Sequence, residues 1–167
     1  MAEDFNKLRM INKQLVQTAF QKKWLFRLDI DGAPDDFDFY VKDVAYNPRD
    51  MNTDEEQIGS MTMTWAVSQV PIKVNSTMRD NEDGRNLKFM ETWFRKAVRL
   101  DGTVGLPYGS NGYLKKVRVY WQKEDGSESC VGEWEMYVIG LGELSQSREE
   151  SAFMEFPVSF VQFATGD

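Results

Sequence analysis

Apolar and polar residues alternate along most of the chain after residue 23, and a period of two is typical of half-buried β-strands. The alternation is clearest in KWLFRLDID (23–31), MTMTWAVSQ (61–69) and MEFPVSF (154–160). Turn residues separate the alternating segments, including Gly32 and Pro34 and, later, the pair Asp125-Gly126. The pattern therefore predicts a mainly antiparallel β protein.

Two hairpins are predicted from strand segments that are neighbours in sequence. The first joins KWLFRLDID to FDFYVKDVAY (37–46), and the second joins YLKKVRVYWQK (113–123) to ESCVGEWEMYVIG (128–140). The residues expected to face inward in the first hairpin are Trp24, Phe26, Leu28, Ile30, Phe37, Phe39 and Val41. Those expected to face each other in the second are Val117, Val119, Trp121, Cys130, Trp134, Met136 and Val138.

The segment from residue 47 to 58 does not alternate, because it is polar and rich in Asp and Glu. It is predicted to be a long excursion between strands, of the kind that carries function or forms an interface.

One α-helix is predicted in NEDGRNLKFMETWFRKAVRL (81–100). Acidic residues precede it and basic residues end it, which suits the helix dipole. The residues assigned to its core-facing stripe are Leu87, Met90, Phe94 and Ala97, with Trp93 as the alternative to Phe94.

The chain divides into residues 1–22 and a β domain from 23 to 167. In the first part apolar residues recur at helical spacing, starting with Phe5 and Leu8. Two interpretations stay open for it: a helix packed on its own domain, or an arm that docks on a neighbouring molecule.

The last strand segment has two different faces. Met154, Phe156, Val158 and Phe160 form one apolar face, which we expect to pack on the core. The opposite face is polar in the middle, at Glu155 and Ser159, and apolar at its ends, at Phe153, Val161 and Phe163. Together these elements predict an antiparallel β-sandwich or partly closed barrel with one packed α-helix.

Composition argues against several classes of function. The net charge of −7 argues against nucleic-acid binding, since phosphate contacts need clustered Lys and Arg. The absence of histidine removes His-dependent triads and the commonest metal ligand, and a single Cys130 leaves no set of ligands for zinc. We therefore expect no cofactor, no bound metal and no enzymatic activity. No apolar run reaches the length of a membrane span, so no membrane insertion is expected.

Three local motifs resemble functional sites without meeting their requirements. DIDGAPDDFDFY (29–40) is rich in Asp, but it lacks the glycine position and the final Glu of a calcium-binding loop. Glu133 and Glu135 share a strand face without a second element that would make a pocket. The basic cluster of Lys115, Lys116 and Arg118 is predicted to form salt bridges with an acidic neighbour.

The order of elements resembles that of the tail tube proteins of contractile-tailed bacteriophages. Two segments carry the resemblance: IKVNSTMRDNEDGRNLKFMETWFRKA (72–97), a strand leading into an aromatic-rich helix, and IGLGELSQSREESAFMEFPVSFVQFA (139–164), a linker with Gly-Glu-Leu before a final strand. With the first hairpin, the resemblance covers most of residues 23 to 164. Residues 1–22 are long for that family, which leaves room for a specialised role near the baseplate.

The resemblance implies hexameric rings that stack into a tube and complete an inner β-barrel on assembly. It implies the sheath, baseplate, tail terminator and tape-measure proteins as partners, with DNA passing transiently through the lumen. It places the protein in the virion tail, made in the cytoplasm of a bacterial host. A tube-initiator or baseplate ring, and a tube subunit of a related injection or secretion system, stay open as alternatives.

Within that framework the residues expected to face the lumen are Thr62, Thr64, Ser68, Glu155 and Ser159. Those expected at contacts between subunits or rings are Phe5, Leu8, Asp54, Glu55, Glu56, Phe153, Val161 and Phe163. We expect no cluster of Lys or Arg in the bore, so that DNA does not adhere. The competing classes are a β-sandwich hydrolase, which needs two converging carboxylates, and a monomeric binding module.

Overall fold

A computed structural model describes residues 21–144 and 153–165, together with residues 10, 13, 14 and 16. The strands are β1 (Phe26–Ile30), β2 (Val41–Tyr46), β3 (Met51–Ile58), β4 (Met61–Gln69), β5 (Lys73–Arg79), β6 (Lys115–Gln122), β7 (Glu128–Leu141) and β8 (Glu155–Gln162). The helix α1 spans Arg85–Ala97, and a short 3-10 helix spans Phe37–Tyr40. The predicted class, mainly antiparallel β with one packed helix, is confirmed.

Six strands form one antiparallel sheet in the order β1-β6-β7-β8-β5-β2. This sheet bends so that distant strands face each other. The rings of Tyr46 on β2 and Trp134 on β7 lie 5.7 Å apart, although three strand spacings of about 4.8 Å would separate those strands in a flat sheet. The bend gives a sandwich-like body around one core, without closing it into a barrel.

The predicted first hairpin is wrong. β1 pairs with β6, where Leu28 lies opposite Val119 and Ile30 opposite Val117, and β2 pairs with β5. The reason is local: residues 37–40 turn into a 3-10 helix, which buries Phe37 but leaves Phe39 87% exposed. Trp24 precedes β1 and is also exposed, so neither Trp24 nor Phe39 faces inward.

The predicted second hairpin is confirmed as β6 and β7, with Asp125 and Gly126 in its turn. A register shift after Val119 places Cys130 opposite Tyr120, and the Cys130 side chain is exposed. The expected inward position of Cys130 is therefore wrong. One extra residue of β7 lies between Cys130 and Gly132, so Cys130 points to the face opposite to the one that simple alternation predicts.

The segment from 47 to 58 is not a loop excursion. Residues 51–58 are strand β3, which pairs antiparallel with β4 from Met51 opposite Gln69 to Ile58 opposite Met61. A polar sequence can form this strand because neither of its faces is buried in the chain.

Helix α1 begins beside Asp80, whose two carboxylate oxygens accept hydrogen bonds from the backbone N–H groups of Asn86 and Leu87, each at 3.0 Å. The helix buries Asn86, Met90, Trp93 and Ala97 against the sheet. This spacing of four, three and four residues puts Trp93 on the buried face, whereas Phe94 and Leu87 are only partly buried. Trp93 also donates from Nε1 to the carbonyl oxygen of Tyr113 at 2.6 Å.

The core lies between α1 and the inner face of the bent sheet. Its members are Leu28, Ile30, Phe37, Ile72, Val74, Met78, Met90, Trp93, Val117, Val119, Met136, Val138, Phe156, Val158 and Phe160. Phe156, Val158 and Phe160 come from β8, and they are the buried part of the apolar face predicted for that strand.

Candidate self-assembly surface

The β3–β4 hairpin is the least buried regular element in the described part of the chain. Every residue of β3 and β4 is exposed, and the two strands form a sheet of their own. An isolated two-stranded sheet is at best marginally stable in water, and its outer edges expose unpaired backbone groups. The hairpin is therefore a candidate surface for contact with another molecule.

The two faces of the hairpin differ in chemistry. Residues opposite each other in an antiparallel pair point to the same side, so Ile58, Met61, Met63 and Trp65 share one face. The opposite face carries Thr62 and Thr64, which lie across from Gln57 and Glu55. We call the first the apolar face, after its β4 half, since its β3 half includes Asp54 and Glu56, and we call the second the polar face. Both faces meet solvent in the isolated chain.

A bulge reverses the expected position of Ser68. The register shifts between Asn52 and Thr53, so that Thr53 lies opposite Ala66 and Asn52 opposite Ser68, with Val67 as the extra residue. Ser68 therefore lies on the side of Met63 and Trp65 and not with Thr62 and Thr64. We expected Ser68 to lie on the same face as Thr62 and Thr64. That expectation is wrong, because simple alternation does not continue through a bulge.

The acidic residues of β3 do not form one surface. Asp54 and Glu56 lie opposite Trp65 and Met63 on the apolar face, whereas Glu55 lies on the polar face. The expected joint contact of Asp54, Glu55 and Glu56 is thus divided between two faces, because successive side chains of a strand alternate. No Lys or Arg occurs from residue 51 to 69.

Glu155 and Ser159 lie on β8, on the outer face of the six-stranded sheet. Glu155 accepts hydrogen bonds from Lys42 at 2.7 Å and from Arg79 at 3.1 Å, and these contacts lower the pKa of its carboxyl group. Ser159 donates to the Oδ1 of Asn75 at 2.8 Å. This part of the outer face is polar, and two of its cations, Lys42 and Arg79, share the Glu155 carboxylate.

The apolar ends of β8 differ in how far their own chain covers them. Phe163 contacts Tyr108 edge-on, with ring centroids 6.0 Å apart, and Tyr113 at 6.5 Å. Val161 is partly buried, whereas Phe153 remains exposed, with the Arg79 guanidinium 5.4 Å from its ring centroid. The predicted contact residues Phe5 and Leu8 lie outside the described residues.

The basic cluster pairs mostly within its own sheet. Arg118 contacts Asp29 at 3.0 Å, Asp31 at 2.7 Å and Glu133 at 2.6 Å, and Lys116 contacts Glu133 at 3.0 Å. The predicted role of Arg118 and Lys116 as partners of an acidic neighbour is therefore wrong, because adjacent strands β1 and β7 supply the carboxylates. These contacts lower the pKa of Glu133.

The sequence pattern did not reveal two further apolar features. One is the apolar loop, residues 98–108, which exposes Leu100, Val104 and Leu106 to solvent. The other is the β1–β2 cavity, a volume of about 760 Å³ beside the two end strands of the sheet. Its apolar lining includes Trp24, Phe26, Val44, Tyr46 and Trp121. The loop was missed because its Leu and Val residues are isolated within a Gly-rich segment and give no periodic signal. The cavity was missed because it depends on the non-local pairing of β1 with β6.

No group of three or more His, Cys, Asp or Glu side chains is arranged to hold a metal ion in the described part of the chain. Among the described residues, no helix is both long enough and apolar enough to cross a membrane.

Neither a protein family model nor a curated protein matches this sequence. Three solved structures contain chains of similar fold. A chain of the anti-feeding prophage cap, described as the AFP tube terminating cap, has a TM-score of 0.61 at 10% identity and covers 87% of this chain and 88% of its own. A chain of the sheath/tube terminator of an extracellular contractile injection system, PVC, in the extended state has a TM-score of 0.62 at 9% identity, over 88% and 95%. A chain of the extended sheath–tube complex of that system has a TM-score of 0.61 at 9% identity, over 91% and 93%.

Proposed function

We propose that this chain is a structural subunit of the tube of a contractile tail or injection particle, in which copies form hexameric rings that stack. The observation that carries the proposal is the β3–β4 hairpin, which is exposed on both faces and along both edges. The shared fold with chains from tube-terminating and sheath–tube assemblies supports it.

In a ring of identical copies the hairpin would have neither free backbone edges nor an exposed apolar face. If β3 of one copy pairs with β4 of the next, the free edges disappear when the ring closes, as in any β-barrel. The apolar face with Met61, Met63 and Trp65 then packs on neighbouring subunits, and the hydrophobic effect stabilises the ring. Such a contact is head-to-tail, which produces rings or filaments and not an isolated dimer.

The polar face of the hairpin then lines the bore. Thr62, Thr64, Gln57 and Glu55 would meet water there, and we propose that Ser159 and Glu155 continue this lining on β8. Six copies at −7 each carry a formal charge of −42. The hairpin part of this lining carries no Lys or Arg from residue 51 to 69, and on β8 Glu155 neutralises one of the two charges of Lys42 and Arg79. An acidic hairpin wall repels phosphate, so DNA passes during ejection without adhering.

Residues 1–22, with Phe5 and Leu8, are proposed as an arm that docks on a neighbouring subunit. Met10 and Val16, the two large apolar residues described in this arm, are exposed. The further partners that we propose are the sheath, baseplate and terminator proteins outside the tube, and the tape-measure protein and DNA within it.

A ring at one end of the tube is the second candidate. Two of the three similar structures are described as a tube terminating cap and a sheath/tube terminator. A terminator or an initiator built from this chain would have the same hairpin-lined ring but would expose one face that does not continue stacking. The two candidates therefore differ in the length of the assembly and not in the hairpin.

Negative-stain imaging of the purified protein at high concentration tests the proposal. Stacked tubes are expected for a tube subunit and single or double rings for an end ring, whereas a 19.4 kDa monomer at all concentrations overturns both. Met63→Asp should abolish rings and leave the melting temperature of the monomer unchanged, because Met63 is exposed in the isolated chain. Thr62→Asp, on the other face of the same strand, is the matched control and should assemble.

A further inference from the structure

The apolar loop is ordered by its own hydrogen bonds although it exposes its apolar side chains. Arg99 N donates to Thr103 O at 3.0 Å, and Gly105 N donates to Ala97 O at 2.9 Å. Thr103 donates to Asp101 Oδ1 from its backbone N at 2.9 Å and from its hydroxyl at 2.7 Å. A loop held in one conformation loses little entropy on binding, so this arrangement favours a docking surface.

The exposed side chains of this loop are large for a solvated surface. Leu100 is 87% exposed, and Val104 and Leu106 are each 75% exposed. Three large exposed apolar residues within seven positions of one ordered loop favour an interaction site there.

The β1–β2 cavity offers a complementary surface. Trp24 and Trp121 line it and are themselves partly open to solvent, and Tyr46 forms part of the same wall. Aromatic residues around a cavity are typical of the sites at interfaces that receive an apolar anchor.

The loop and the cavity lie at opposite ends of strand β6. The loop is tied to the start of the strand, where Tyr113 N donates to Leu106 O and Leu114 N donates to Pro107 O, each at 3.1 Å. Trp121, near the end of the strand, lines the cavity. Trp121 lies six positions after Lys115, which is about 20 Å along an extended strand.

Two complementary surfaces at opposite ends of one molecule cannot satisfy each other within that molecule. A symmetric dimer that used both surfaces would stop at two copies, which does not build a tube. Within a tube the two surfaces fit a head-to-tail contact that repeats from one copy to the next, which is the symmetry of a stack. The occupant that this geometry indicates is therefore a second copy of the chain.

Charge at the two surfaces is mixed, with one pair that suits this orientation. Lys22, Lys23 and Lys42 line the cavity together with Asp38 and Asp43, and the loop carries Arg99 and Asp101 on either side of Leu100. Lys22 pairs with Glu124 and Lys42 with Glu155, whereas Lys23 forms no salt bridge with any described residue. Lys23 is thus available to a carboxylate such as Asp101 of another copy.

We infer that successive rings stack because the apolar loop of one subunit inserts into the β1–β2 cavity of a subunit in the next ring. This inference rests on the proposed function, but it concerns a different surface. The hairpin closes a ring, and the loop and cavity join one ring to another.

The first test compares Leu106→Asp with Ser110→Asp, which adds the same charge to the same connection between α1 and β6 at a position that is already polar. Leu106→Asp should give rings without tubes in negative stain, and Ser110→Asp should give tubes. Both side chains are exposed, so the melting temperature of each variant should match that of the wild type. Tubes of normal length from Leu106→Asp, or monomers in place of rings, would overturn the inference.

The second test traps the contact with a disulfide in a Cys130→Ser background. A chain with both Leu106→Cys and Trp24→Cys should give an oxidised ladder of many covalently linked copies on a non-reducing gel, because each subunit links to the rings above and below. Each single-cysteine chain should remain monomeric on the gel, because the residue that faces its cysteine in the next copy is then not a cysteine. Oxidised tubes that contain only monomer refute the loop–cavity contact, whereas a wild-type protein that never forms rings refutes the proposed function itself.

Discussion

Asn52 donates a hydrogen bond from Nδ2 to the Oγ of Ser68, 3.1 Å away across the β3–β4 hairpin. This contact places both side chains on the same face, as the register of the pair requires. Because β3 alternates without a break from Asn52 to Ile58, Ser68 lies on the apolar side with Met63. In the proposed ring, the bulge at Val67 therefore decides which polar residues meet a neighbouring subunit and which meet the bore.

Ser68→Asp and Thr64→Asp should consequently have different effects on assembly. Each substitution adds one negative charge to an exposed position of β4. We expect Ser68→Asp to weaken ring formation at least tenfold, because its charge would be buried against a neighbouring subunit without a partner. Thr64→Asp should leave the rings intact, since its side chain meets water in the bore.

Ring formation can be measured by analytical ultracentrifugation over a concentration series, with the monomer melting temperature as the control for folding. If Thr64→Asp prevents rings while Ser68→Asp does not, the two faces of the hairpin have been assigned the wrong way round.

Gly142 provides a test of packing at the end of β7. Its N–H donates to the carbonyl oxygen of Pro157 at 2.8 Å, and a Cβ added to it would lie 2.2 Å from the Cγ of the same ring. Gly142→Ala should therefore lower the free energy of unfolding by about 1–3 kcal/mol, the usual cost of overpacking. Urea denaturation of the monomer measures this.

Gly140→Ala is the matched control, because a Cβ at that position meets no atom within 4 Å. Its effect should stay within about 0.5 kcal/mol. Equal losses from both substitutions would mean that the backbone conformation of the strand, and not contact with Pro157, requires glycine.

Local patterns predicted the local parts of this fold correctly. The α1 helix and the β6–β7 hairpin depend on residues that are close in sequence, so periodicity and the turn at Asp125-Gly126 were sufficient. The pairing of β1 with β6 joins residues about ninety positions apart, and no local signal distinguishes it from the simple hairpin that we expected. Polar β3 was missed because a strand with no buried face need not alternate.

The candidate site was only partly accessible to sequence reasoning for the same reason. The apolar face of β4 is visible as alternation, and the acidic residues of β3 are visible as composition. What the sequence lacks is register: the bulge that moves Ser68 and the alternation that separates Glu55 from Asp54 and Glu56 depend on how β3 and β4 align.

Trp93 and Phe94 test the orientation of α1. Trp93 is 1% exposed and contacts the ring of Phe160 at a centroid distance of 5.4 Å, whereas Phe94 is only partly buried. Trp93→Ala should cost about 3–5 kcal/mol of stability, as for other large aromatic residues removed from a core. Phe94→Ala should cost about 1–2 kcal/mol, because less apolar surface leaves water at that position.

Both substitutions can be made in the Met63→Asp chain, which we expect to stay monomeric. Chemical denaturation then measures the stability of the fold without a contribution from assembly. A larger loss from Phe94→Ala than from Trp93→Ala would show that the helix presents its other side to the sheet.

Asp38 should make the stability of the chain depend on pH in the direction opposite to the paired glutamates. Its Oδ1 accepts a hydrogen bond from Leu28 N at 3.0 Å, on the free edge of β1, and burial raises the pKa of the carboxyl group. A raised pKa means that the folded chain binds the proton more tightly than the unfolded chain does. The associated stabilisation is therefore complete below the unfolded pKa of about 3.9 and is lost as the pH rises through the folded pKa.

Asp38→Asn keeps the acceptor for Leu28 N and removes the charge. We expect it to raise the free energy of unfolding at pH values above the raised pKa of the wild-type carboxyl group, and we expect the difference to shrink as acidification protonates that group. Urea denaturation at pH 7, 5 and 3.5 measures the trend, and Asp35→Asn, at an exposed position three residues earlier, controls for the change in net charge. The opposite result would be a loss of stability for Asp38→Asn that is the same at every pH. It would mean that the edge of β1 needs a carboxylate for its geometry and that burying this carboxylate does not destabilise the fold.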